Sequence, residues 1–193
     1  MTRATRRPTL IVVTGSENTG KTTLAAQLAA ALGTAWVPEY ARAYAELAHR
    51  PLTADDVAPI AIGQRAAEDR GVAEWRLRWG ANAEWPPLVL DTDLISTTVY
   101  AEHYYGACPE WIMHAARVRM GSLYLLCEPD LPWSPDGVRD RPTAREQLHA
   151  AFRDRLRAYG ATVAQIRGSG DARLLAAMSA VAALRPDMPV DRP

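Results

Sequence analysis

The sequence predicts an α/β fold, a three-layer sandwich around a five-stranded parallel sheet. Three observations predict it. Five short apolar runs alternate with longer segments of helical period, the pattern that buries a parallel sheet between helices. The first run, Leu10-Ile11-Val12-Val13, leads into Gly15-Ser16-Glu17-Asn18-Thr19-Gly20-Lys21-Thr22, which fits the G-x-x-x-x-G-K-[ST] pattern of a phosphate-binding loop. Carboxylates or glycines follow each later strand, at the sheet edge where open parallel sheets bind ligands.

The run Leu10–Val13 is continuously apolar, as a strand covered on both faces requires. Beyond the loop, Leu24, Leu28 and Leu32 recur every fourth residue, one stripe of a helix that Gly33 can end. Strand, loop and helix in that order predict a P-loop NTPase sandwich. Ala35-Trp36-Val37 is a short second strand stopped by Pro38, and Glu39-Tyr40-Ala41-Arg42 opens a helix that halts near His49, before Pro51. Thr53 with Asp56 has the form of a helix cap. The segment it starts runs to about Trp79, and Pro59 is expected to kink or restart it. Leu88-Val89-Leu90 is the third strand, ended by Asp91-Thr92-Asp93. Helices over 94–105, closed by Gly106, and over 109–120 precede the fourth strand, LYLLC at 123–127. Residues 131–142 form a proline-rich, charged loop, and 143–159 a helix capped by Gly160. The fifth strand is 162–166 and the last helix 171–184. No repeat or low-complexity linker interrupts this order, so residues 1–193 are expected to form one domain, with 1–8 a flexible leader and 185–193 a flexible tail.

The bulk composition narrows the partners. Lysine and arginine number 22 and acidic residues 22, a zero net charge that speaks against a nucleic-acid or membrane footprint. No apolar run approaches the roughly 18 residues that span a bilayer. Cys108 and Cys127 lack metal-ligand spacing and are expected as free thiols in a reducing, cytoplasmic setting. His49, His103, His114 and His149 show no ligand spacing either. Lys21 is the only lysine, leaving 22 − 1 = 21 arginines. The lone ammonium stands where a compact point charge, not a planar guanidinium, suits a tight phosphate cradle.

The chemistry follows from what each strand presents. Gly15, Ser16, Glu17, Asn18, Thr19, Gly20, Lys21, Thr22 and Thr23 are the expected ATP-binding set: backbone N–H groups and the helix N-terminus face the phosphates. Lys21 would reach the β- and γ-phosphates, and the Thr22 hydroxyl would sit on Mg²⁺. Asp91, directly after the third strand, has the form of a Walker-B acid that holds Mg²⁺, against the plainer reading of a turn carboxylate. Glu39 closes the second strand beside the loop. It can accept a proton from a substrate hydroxyl, or merely satisfy a helix N-terminus; Glu39 and Asp91 both remain candidates for the base. Arg139 and Arg141 lie in the 131–142 loop, where arginines of a closing lid can offset charge on a transferring phosphoryl group. Thr97, Tyr100 and Tyr104 share a helix face after Asp93, and Tyr40 and Tyr44 repeat the spacing after Glu39. Tyrosines at that rim can stack on a flat ring, or pack in the core.

The segments GSENTGKTTLA, PEYARAY, LVLDTDLISTTVYAEHYYG and YLLCEPDLPWSPDGVRDRP resemble, in order and spacing, the ribosylnicotinamide kinase domain of NadR-type NAD biosynthesis proteins, within the P-loop AAA-type ATPase and kinase family. The resemblance covers about Thr9 to Asp171, and the E-Y-x-R, D-T-D and P-W-x-x-D-G-x-R segments are more specific than the phosphate loop alone. It implies transfer of the ATP γ-phosphate to the ribose 5′-hydroxyl of nicotinamide riboside, a small nucleoside-like substrate. It implies substrate contacts from Glu39, Tyr40, Arg42, Asp93, Thr97, Tyr100, Tyr104 and Trp133, with Asp93 on ribose hydroxyls. NadR proteins can also carry helix-turn-helix and adenylyltransferase domains; the sequence shows neither, so repression and NAD synthesis proper are not expected. A Trp that can precede the E-Y pair in such proteins is Pro38 here. Two other readings stay in play: a kinase of another nucleoside or sugar alcohol, and a non-catalytic ATP sensor.

Overall fold

A computed structural model describes residues 8–80, 85–132 and 145–184. The expected leader lies outside them except for Pro8, which is buried, and the expected tail lies wholly outside them. The strands are β1 (Leu10–Thr14), β2 (Trp36–Val37), β3 (Leu88–Asp91), β4 (Leu123–Cys127) and β5 (Val163–Ile166). They form a single five-stranded sheet in the order β2-β3-β1-β4-β5. Every pairing is parallel, with Leu10 opposite Leu88 and Val13 opposite Asp91 across β1 and β3, and Ile11 opposite Leu123 across β1 and β4. The central strands β1, β3 and β4 are buried along their whole length, which is why they read as unbroken apolar runs.

Alternation along each strand sends side chains to two cores. Leu10, Val12, Leu90, Tyr124 and Leu126 meet one set of helices: α3 (Val57–Trp79), α4 (Leu94–Tyr105), α5 (Glu110–Val118) and α6 (Arg145–Ala158). Ile11, Val13, Val89, Leu125 and Cys127 meet α1 (Lys21–Ala31) and α7 (Gly170–Ala182) on the other face. The remaining helix, α2 (Tyr40–Ala48), buries none of its own residues and lies against α3 at the sheet's carboxyl rim.

Pro59 corrects one expectation. It neither kinks nor restarts a helix, because it is the third residue of α3, where a proline's missing N–H would have had no intrahelical partner. The change of helix type comes earlier, where a 3₁₀ turn over Ala54–Asp56 hands over to α3. The expected Thr53 cap is present: Asp56 accepts from the Thr53 amide at 2.8 Å and from its hydroxyl at 3.1 Å. Trp75, fully buried, donates its indole N–H to the Pro86 carbonyl at 2.9 Å and ties the far end of α3 to the approach to β3. No helix among the described residues is long and apolar enough to cross a membrane.

Candidate functional site

The phosphate loop is a turn that few side chains could make. Gly15 has φ 137°, and a Cβ there would stand 2.8 Å from the Cys127 carbonyl of β4. Asn18 and Gly20 are left-handed, at φ 54° and 72°, so the chain curls tightly before α1 begins at Lys21. Ser16, Thr19 and Lys21 are buried. The Lys21 ammonium and the Thr19 hydroxyl both donate to the Ser16 carbonyl, each at 2.8 Å.

Two arginines hold this loop from outside. Arg145, the first residue of α6, donates to the carbonyls of Asn18 at 2.9 Å and Leu131 at 2.8 Å. Arg173 of α7, almost wholly buried, donates to the carbonyls of Thr19 at 2.9 Å and Glu128 at 3.1 Å, and to the Gly168 carbonyl. Its guanidinium also meets Asp130 at 2.8 Å. A trans peptide points its N–H opposite to its C=O. Pinning the carbonyls of Asn18 and Thr19 therefore turns the amides of Thr19 and Gly20 the other way. Neither arginine stood out in the sequence, where 21 arginines carry no individual mark.

Thr22, in the first turn of α1, donates its hydroxyl to Asp91 Oδ2 at 2.7 Å across the β1–β3 crevice. Asp91 is fully buried, and its other oxygen has no hydrogen-bond partner. Burial raises its proton affinity, partly offset by the Thr22 hydrogen bond and by the charges of Lys21 and Arg42, while Glu39 adds to the rise. A buried, unpartnered carboxylate oxygen beside a threonine hydroxyl is an oxygen-only donor set, the kind a hard divalent cation accepts. No cluster of three or more His, Cys, Asp or Glu suited to a metal occurs among the described residues.

Glu39 stands at the junction of two cavities. One, about 490 Å³, is lined by Asn18–Thr23, Glu39 and Arg42. The other, about 550 Å³, is bounded by Glu39, Gln64, Thr97, Tyr100, Tyr104 and neighbouring apolar residues. Glu39 is the N-cap residue of α2, yet its side chain makes no capping hydrogen bond. Tyr100 and Tyr104 stack at 6.0 Å with ring planes 13° apart, and Tyr100 and Phe152 meet edge-to-face at 5.6 Å. The Tyr104 hydroxyl donates to Glu17 of the phosphate loop at 2.6 Å, so the aromatic wall and the loop are joined.

The structure thus brings Glu17, Glu39, Arg42, Thr97, Tyr100, Tyr104 and the loop together. Asp93 does not join them. It caps α4 through the Ile95 amide at 2.9 Å and accepts the Tyr124 hydroxyl at 2.6 Å, so it faces inward and lines neither cavity. Burial raises its carboxyl to about 6, against the pull of those hydrogen bonds. Tyr40 also lines neither cavity: its ring lies on Gly63 of α3, 6.3 Å from the ring of Tyr44. Tyr44 donates its hydroxyl to Asp56 at 2.8 Å. Trp133, Arg139 and Arg141 lie outside the described residues.

A family model described as AAA domain matches residues 10–173. The chain belongs to that family. Among solved structures, NadR protein in complex with NR is similar at 26% identity and a TM-score of 0.73, covering 96% of this chain and 53% of that one. NadR protein in complex with NAD and AMP-PNP is similar at 26% identity and a TM-score of 0.72, covering 96% and 51%. The AAA-family chain thus spans about half the length of the two NadR chains. Thymidylate kinase from Ehrlichia chaffeensis matches at 12% identity and a TM-score of 0.65, covering 93% of this chain and 100% of that one. These likenesses make the fold that of a P-loop kinase. No curated protein matches the sequence.

Proposed function

We propose that this chain is an ATP-dependent nucleoside kinase whose preferred acceptor is the ribose 5′-hydroxyl of nicotinamide riboside. The observation that carries the reading is Glu39, a buried carboxylate in the wall shared by the phosphate cavity and the tyrosine-lined cavity. A nucleoside in the second cavity would present its hydroxyl to the first across that residue. Glu39 then takes the hydroxyl proton as the oxygen attacks the γ-phosphorus; the bond to the β–γ bridging oxygen breaks and ADP leaves. Lys21 and the loop amides hold the phosphates as negative charge shifts toward that bridge. Mg²⁺ would be held by Thr22 and Asp91 and would neutralise phosphate charge. Arg139 and Arg141, outside the described residues, are assigned to closing over the phosphates. The likeness to NadR with NR and to NadR with AMP-PNP supports both ligands of this reading.

The acceptor's ring explains the preference. Nicotinamide riboside carries a cationic pyridinium, which an aromatic face attracts. The stacked Tyr100–Tyr104 pair offers such a face, and the Glu17 carboxylate on the Tyr104 hydroxyl makes it more electron-rich. The test is a coupled ADP-release assay across nicotinamide riboside, adenosine and uridine. Nicotinamide riboside should lead in kcat/KM by at least about tenfold, or 1.4 kcal/mol of differential transition-state stabilisation. Equal rates would leave a nucleoside kinase without the nicotinamide assignment. ADP release at one acceptor-independent rate would mean transfer to water, an ATPase, and no ADP release at all would leave only a nucleotide-binding protein.

A further inference from the structure

The helix that carries Glu39 is held from α3 and the turn before it, not by burial of its own face. α2 buries no residue, and Glu39 itself makes no side-chain cap, so the first N–H groups of the helix must find partners elsewhere. One comes from α3. The Tyr40 amide, next in the chain to Glu39, donates to Gln64 Oε1 at 3.1 Å. The same glutamine donates through Nε2 to Glu68 Oε1 at 3.3 Å. An amide donor on one side and a carboxylate acceptor on the other fix which way the glutamine amide faces. Glu68 is fixed in turn by Arg119, whose guanidinium reaches it at 3.1 Å and Asp69 at 2.6 Å.

A second contact locates the same junction. A Cβ on Gly63 would fall 2.0 Å from Cε1 of Tyr40, so the tyrosine ring lies directly on the α3 backbone one residue before Gln64. Gln64 is 2% exposed, yet it lines the tyrosine cavity together with Glu39. We propose that Gln64 is a positioning residue: by holding the first amide of α2, it sets where the Glu39 carboxylate stands between the two cavities. The inference rests on the reading of Glu39 as the base. A displaced base is costly because proton transfer and in-line attack both need near-contact geometry.

The test is a double-mutant cycle, with ATP and the fastest acceptor among nicotinamide riboside, adenosine and uridine. Gln64→Met keeps the side-chain volume and removes the acceptor. It should lower kcat by about 10- to 100-fold, the range a misplaced catalytic group costs. The KM for ATP should stay within about twofold, and the effect should vanish in a Glu39→Gln background, since coupled groups are non-additive. Wild-type turnover in Glu39→Gln alone would overturn the base assignment and this inference with it. A slow Glu39→Gln enzyme that Gln64→Met slows again by its full factor keeps the base and overturns the positioning role. If Gln64→Met does not fold, the exchange Gln64→Glu with Glu68→Gln still gives the Tyr40 amide an acceptor, keeps a donor–acceptor pair between positions 64 and 68, and places no second carboxylate beside the first. Its kcat should then stay within about tenfold of wild type, the range one retained hydrogen bond protects; a larger loss overturns the proposal.

Discussion

Lys21 occupies a place that charge alone does not define. Its ammonium is buried and donates to the Ser16 carbonyl, in a cradle whose carbonyls are already turned toward Arg145 and Arg173. A guanidinium is planar and wider, and it cannot enter such a slot as a point charge. Lys21→Arg is therefore expected to cut kcat/KM on the order of 10²-fold, as loss of one preorganised donor does. Steady-state kinetics check this, and near-normal turnover would remove the argument from the lone lysine. The placement of such residues was legible in the sequence because it is local: the loop pattern places Lys21 and Thr22, and a strand end places Asp91. Gln64 was not, because its partner amide is 24 residues away and nothing near it in the chain hints at the bond. Asp93 is placed differently from its expectation for a related reason. Position after a strand puts a carboxylate at the rim, but a helix N-cap and the Tyr124 hydroxyl turned this one inward.

At the scale of elements, the sequence was read most easily where one element meets its own punctuation. The unbroken apolar runs of β1, β3 and β4 exist because both faces are covered, and the alternation of strands with helices leaves few topologies. The order β2-β3-β1-β4-β5 could not be read the same way, since it depends on which strands pair at long range. The phosphate loop shows how tightly such pairing constrains a turn. Gly15→Ala would combine a positive φ with a Cβ 2.8 Å from the β4 backbone, so loop and strand could not both stay in place. Gly33 also has a positive φ, of 62°, but a Cβ there meets nothing within 4 Å. Both substitutions should cost about 1–3 kcal/mol of backbone strain. Only Gly15→Ala should also abolish nucleotide binding. Titration with a nucleotide analogue separates the two, and equal affinity in both variants would show that the β1–β4 approach does not shape the loop.

Across the whole molecule, the helices behind the site enclose a polar seam rather than a purely apolar core. Glu68 of α3 is buried there, faced by Arg119 after α5, by Gln64 on its own helix and by Asp93 at the start of α4. Burial, then the nearby Asp93 charge, raise the Glu68 carboxyl from its ordinary 4.5 to about 7, while Arg119 and Gln64 pull it down without winning. The sign for stability follows from proton counts. Between about pH 4.5 and 7 the folded chain keeps a proton on Glu68 that the unfolded chain has already released. Stability from this group is thus fully present below the unfolded value and is lost as pH rises to about 7, above which the penalty is constant. Asp56 acts outside this window. Its pair with Arg50 holds it well below the usual carboxylate range, so it stays ionised throughout. Glu68→Gln imitates the protonated form at every pH, and Arg119 keeps Asp69 as a partner. The variant should match the wild type near pH 4.5 to 5 and unfold at a higher temperature than the wild type at pH 8. Thermal melts of both chains across that range decide it. Parallel curves would mean that Glu68 titrates alike in the folded and unfolded chain, and that Arg119 compensates its burial in full.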